Sequence, residues 1–220
     1  VHLRYSNDTG ASYPDGRIIA TNLTASTGKE PWSVPNDIGT NLTVKIIDAG
    51  NPSVIASSNY TFAIKGSIHL NQPNGGESWL KGTTQQIKWT PTGTYNGNVK
   101  LEYYNESIVN WTQITNIAAG TDNTTQIYNW SIPDAISDLV KVRVTTLVNS
   151  TIDVTDESDS TFNITGSVEV TSPNGQPREI WYYGDTIRQI KWNAIGTVTP
   201  IKIEYSTNNG STWTQITMGT

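Results

Sequence analysis

Four acidic side chains crowd one short stretch of the chain, Asp153, Asp156, Glu157 and Asp159. Carboxylate oxygens are hard donors that suit Ca²⁺, and an ion held where two domains meet would stiffen the joint. The same spacing also describes a plain solvated acidic loop, which is the expected reading. The stretch "IASSNYTF" at Ile55 to Phe62 fills the corresponding place earlier in the chain without an acid, so calcium would not be general. Other metal and nucleophile chemistry has little to work with. Cys is absent, which removes thiolate ligands, disulfides and a Cys nucleophile. Only His2 and His69 occur, on separate candidate strands, and no G-x-S-x-G elbow is found. Paired carboxylates for glycoside hydrolysis find no convincing cleft context. The chain is expected not to be an enzyme and to need no cofactor.

Modification offers more. Eleven N-x-S/T sequons occur, at Asn7, Asn22, Asn41, Asn59, Asn105, Asn110, Asn123, Asn129, Asn149, Asn163 and Asn209. N-glycosylation of an exported protein explains them. Asn and Thr also suit turns and outer strand faces, and that alternative stays open. "STNNGSTW", Ser206 to Trp213, matches the S-x-D-x-G-x-T-W hairpin with Asn208 in the usual Asp position, and reads as a structural turn. Tyr103, Tyr104, Tyr182 and Tyr183 have the ring faces that stack on sugars, although packing on a strand face is the expected role.

Composition sets the frame for these residues. Only 15% are charged, and Thr, Ser, Asn, Val, Ile, Tyr and Trp dominate, as in a sheet with a polar, uncharged outer face. The net charge of -5 and 14 scattered Lys and Arg give no phosphate-tracking stripe, so nucleic acid is not an expected partner. No stretch is long and apolar enough for a membrane-crossing helix, and no basic and apolar leader or C-terminal anchor pattern is seen.

Internal repetition then organises the chain. "YTFAIKGSIHL" at Tyr60 returns as "STFNITGSVEV" at Ser160. "VHLRYSN" at Val1, "VKLEYYN" at Val99 and "IKIEYST" at Ile201 form a second set, and "WTQIT" occurs at Trp111 and Trp213. The division expected is the C-terminal part of a repeat in 1–66, a complete repeat in 67–166 and the N-terminal part of another in 167–220. Alternation places strands at 67–71, 84–89, 99–103, 111–114, 126–132, 139–145 and 161–164. This is an all-β chain of tandem immunoglobulin or fibronectin type III sandwiches, read as a piece of a longer array. A second possibility is that incomplete end repeats complement one another between chains. Single glycines, Gly66 and Gly166, are the only linkers, which predicts a stiff rod.

One motif recurs across the repeats, "PNGGESWLKGTTQQIKW" from Pro73 and "PNGQPREIWYYGDTIRQIKW" from Pro173. Pro-Asn-Gly suits a tight turn, Trp79 a lid over one end of the core, and Trp89 the core centre. Trp181, Gly184 and Trp192 hold the matching places in the second copy. The motif resembles the immunoglobulin-like module of the fungal cell-wall glucan-synthesis family, also found in tandem in large bacterial and archaeal surface proteins. The resemblance implies an extracellular, cell-wall or surface location without catalysis. The second copy departs from it, with Gln176 and the inserted Pro177-Arg178 in place of Gly76 and Glu77. The function expected is a structural segment of a glycosylated surface protein: a rod in a filament, sheath, surface layer or adhesin stalk. Its partners would be neighbouring copies or surface glycans, and N-linked glycans are expected on it. The alternative is a carbohydrate-binding or accessory module of a larger secreted protein.

Overall fold

The structure, a computed structural model, describes residues 1–105, 110–148 and 151–216. Strands make up nearly all its regular structure. Segment 1–66 supplies β1 (His2–Ser6), β2 (Ile18–Ala20), β3 (Gly39–Ile47), β4 (Ile55–Ser57) and β5 (Phe62–Ile64). Segment 67–166 supplies β6 (Ser67–Gln72), β7 (Ser78–Leu80), β8 (Thr84–Thr92), β9 (Asn98–Tyr104), β10 (Thr112–Ala118), β11 (Gln126–Ser131), β12 (Ser137–Leu147), β13 (Thr155–Glu157) and β14 (Phe162–Thr165). The remainder supplies β15 (Ser167–Ser172), β16 (Lys191–Ile195), β17 (Glu204–Tyr205) and β18 (Thr214–Gln215).

The chain gathers into two compact units. The first comprises residues 1–77, 86–130 and 139–162. In it β2, β1, β3 and β4 lie side by side, with β5 on the earlier part of β3. Leu42 is fully buried between Tyr5 and Ile64, and Trp32 stacks obliquely on Tyr5 at 5.2 Å between ring centres.

The same unit contains a sandwich. One sheet runs β11-β8-β6 and the other β10-β9-β12, with β13 paired to the far end of β12. Period-two alternation drives it: Ile87 and Trp89 on β8, Val99 and Leu101 on β9, and Val140, Val142 and Val144 on β12 are all at most 1% exposed. Trp89 fills the centre, and its indole N–H donates to the Ala119 carbonyl at 3.0 Å, so the ring is buried without an orphaned donor. Trp130 on β11 meets Tyr103 on β9 across the sheets at 5.3 Å.

The second unit comprises residues 78–85, 131–138 and 163–220. Here β7 pairs in parallel with β14, aligning Trp79 with Ile164. Trp79 is therefore a strand residue, 5% exposed, on a short strand that the sequence did not reveal. Neither β7 nor β13 was expected, because three residues are too few to display alternation. The antiparallel pairs β15–β16 and β17–β18 complete the unit. The motif's second copy departs in burial: Trp181 and Trp192 are 36% and 37% exposed, against 5% and 1% for Trp79 and Trp89. Trp192 lies on β16 of a two-stranded sheet and Trp181 lies outside any strand, and both rings border an open cavity rather than a filled core.

Candidate functional site

The turn that opens the recurring motif is closed by a carboxylate. The backbone N–H groups of Asn74 and Gly75 donate to Glu77 Oε1 and Oε2, both at 2.9 Å. In the second copy the Asn174 and Gly175 N–H groups donate to Glu179 Oε1 at 3.0 and 3.1 Å. The insertion of Pro177 and Arg178 thus moves the acid along the chain without removing it. The Asn174 N–H leads the contributions that hold the Glu179 carboxyl below its ordinary range. In both copies the acid is spent on the turn.

The S-x-D-x-G hairpin behaves likewise, and it occurs twice. At Ser206, Oγ accepts from the Gly210 N–H at 2.9 Å, and Asn208 Oδ1 accepts from the Thr212 N–H at 2.9 Å. "SNDTGASY", Ser6 to Tyr13, repeats the network: the Gly10 N–H donates to Ser6 Oγ at 3.0 Å and the Ser12 N–H to Asp8 Oδ1 at 2.9 Å. Ser12 and Ser6 together hold the Asp8 carboxyl far below the usual range. Sequence reading missed this copy, although a search allowing Ser and Tyr at its end would have found it.

The acidic cluster is dispersed among protein partners. Asp153 accepts from the Val148 N–H at 2.7 Å, Asp156 from the Leu70 N–H at 2.8 Å and Asp159 from the Asn74 amide at 2.7 Å. Glu157 lies opposite Arg143 in the β12–β13 register. No group of three His, Asp or Glu among the described residues is arranged to hold a metal ion. His69 reaches Asp156 at 3.3 Å.

Nine of the sequon asparagines, Asn7, Asn22, Asn41, Asn59, Asn110, Asn123, Asn129, Asn163 and Asn209, are exposed. Asn163 points outward between Phe162 and Ile164, as strand alternation predicts. Asn105 is 3% exposed, which leaves no room on its amide for a glycan in this fold. Asn149 lies outside the described residues.

Of the candidate stacking rings, Tyr103 packs on Trp130. Tyr104 packs on Trp111, over which the Arg143 guanidinium sits at 4.3 Å. Tyr182 and Tyr183 are open to solvent. A cavity of about 830 Å³ in the second unit is lined by Val168, Val170, Trp181, Trp192, Ile201 and Ile203, among others. Their counterparts by internal repetition, Ile68, Leu70, Trp79, Trp89, Val99 and Leu101, are core. The lining is therefore that of a sandwich interior.

Two glycines that the sequence reading places between repeats, Gly66 and Gly166, sit in close quarters. A Cβ on Gly66 would stand 2.2 Å from the Thr92 carbonyl oxygen and 2.8 Å from Ile38 Cδ1. A Cβ on Gly166 would stand 2.6 Å from the Ile195 carbonyl oxygen and 2.9 Å from Ile136 Cδ1. Each linker is thus wedged between a strand of the segment it opens and an isoleucine of the segment it closes. Grooves lined by Ile38 and Gly66 in one case, and Ile136 and Gly166 in the other, mark the two joints.

Fold and turns together define an immunoglobulin-like β-sandwich module. Residues 72–141 match the family described as the Kre9/KNH-like N-terminal Ig-like domain. The match covers the part of the middle segment that carries the recurring motif, in agreement with the resemblance seen in the sequence. Among curated proteins none matches the chain. No helix among the described residues is long and apolar enough to cross a membrane.

Proposed function

We propose that the chain is a non-catalytic structural segment of an extracellular, N-glycosylated surface protein, in which abutting Ig-like modules form a stiff rod. The wedged glycine linkers carry this reading, because a joint with no free residue and no room for a Cβ leaves neighbouring modules little freedom to swing. Exposed sequons and a resemblance to a cell-wall family support the surface location. Electron microscopy of material from the native surface tests it. Ordered filaments or lattices built of straight rods are expected, and flexible strings of beads would overturn it. A carbohydrate-binding role is favoured by one observation, the bare neighbouring rings of Tyr182 and Tyr183, and binding on a glycan array that both Tyr→Ala changes abolish is its test.

A further inference from the structure

The two joints share more than a glycine. At the first, the Thr94 N–H donates to Asn36 Oδ1 at 2.7 Å, and Asn36 Nδ2 donates to Thr94 Oγ1 at 3.0 Å. At the second, the Thr197 N–H donates to Asp134 Oδ1 at 2.9 Å, and the Thr197 hydroxyl donates to Asp134 Oδ2 at 2.8 Å. Both forked side chains follow a proline, in "VPNDI" and "IPDAI", and both precede by two residues the isoleucine packed on the linker glycine. Both threonines follow a glycine of positive φ, Gly93 at 99° and Gly196 at 84°. A Cβ on either glycine would strike that same isoleucine, at 2.5 Å from Ile38 and 2.8 Å from Ile136. Two joints that differ in most surrounding residues thus reproduce one constellation.

We infer that Pro-[Asn/Asp]-x-Ile in one module and Gly-Thr in the next form a side-chain latch that fixes the angle between successive modules, and that residue 122 decides which fork the first joint accepts. The inference rests on the rod reading and names its partner surface: the next module, recognised through a threonine N–H and hydroxyl. Two hydrogen bonds from one planar group to one residue fix orientation as well as distance. The choice of amide or acid follows from the neighbour. Asp122 accepts from the Gly93 N–H at 2.6 Å and, on its other oxygen, from Asn36 Nδ2 at 3.0 Å. An aspartate at 36 would set two carboxylates in that contact, with no proton between them. Asn36 is therefore the fork that Asp122 permits. At the second joint the fork is an acid, and the Thr197 N–H and hydroxyl hold its carboxyl below the ordinary range.

A double-mutant cycle on the full chain tests this, with melting temperature and NMR residual dipolar couplings across the first joint as readouts. Asn36→Asp should lower the melting temperature by about 2–4 °C, the shift of a modest contact in a chain of this size, and disperse the relative alignment of segments 1–66 and 67–166. Asp122→Asn keeps the acceptor for Gly93 and supplies an amide to the new acid, so the Asn36→Asp/Asp122→Asn pair should restore both. Asn36→Asp without effect, or a double variant no better than the single, overturns the latch. With straight rods on the native surface, that result leaves the rod reading standing. Flexible native material overturns the rod reading and this inference together.

Discussion

Glu102 shows how one buried acid is kept in a sheet between basic neighbours. Its side chain is 7% exposed, and it meets Arg143 at 2.7 Å and Lys100 at 3.0 Å. Burial raises its carboxyl pKa, but hydrogen bonds and charge from Arg143 and then Lys100 outweigh burial, and the net shift is downward. A folded-state value below the unfolded value of about 4.3 stabilises the fold above that value, and the gain is lost as pH falls through the folded value. Glu102→Gln should cost about 1.5–3 kcal/mol at neutral pH, the range for hydrogen bonds to charged groups. The difference from the unaltered chain should shrink in acid, as read by thermal unfolding across a pH series. A constant difference would show that the ion pairs contribute nothing.

At the scale of the element, the turn after β6 governs how β6 and β7 enter different sheets. Gly75 sits at φ 128°, and a Cβ there would lie 2.6 Å from Ser160 Cβ. Strain and clash act together, so Gly75→Ala should cost about 1–3 kcal/mol. Glu77→Ala, which removes the acceptor for two N–H groups that solvent can still reach, should cost less, about 0.5–1.5 kcal/mol. Denaturant unfolding of the two variants checks the order, and a reversed order would show that the carboxylate outranks the backbone geometry. This scale also shows where alternation is legible. β6, β8, β9 and β12 could be read because each shows at least two inward residues. β7 and β13 could not, since three residues each are too few to display alternation, and β7 in addition pairs with the remote Ile164.

For the whole molecule, the surface and the joints matter most. Glycans attached according to exposure would occupy sites such as Asn59, Asn129 and Asn163 and leave Asn105 bare. Peptide mapping of the natural protein before and after deglycosylation should therefore find mass added at exposed sequons and none at Asn105. An unmodified protein throughout would leave Asn and Thr as turn and strand-face residues alone. The joints give the larger prediction, that stiffness is set by contacts repeated at each linker rather than by linker length.

The sequence by itself determined the all-β class, the recurring motif and the core positions Ile87, Trp89, Val140, Val142 and Val144, because each is written in local spacing or direct repetition. Tertiary structure decided what no local pattern encodes. It set Glu179 in the role of Glu77 across an insertion, buried one sequon and exposed nine, bound three of the four neighbouring acids to separate partners, and brought Asn36 to Thr94. Side-chain hydrogen bonds between residues far apart in the chain depend on how sheets and joints bring them together, and one sequence read along its length carries no record of that distance.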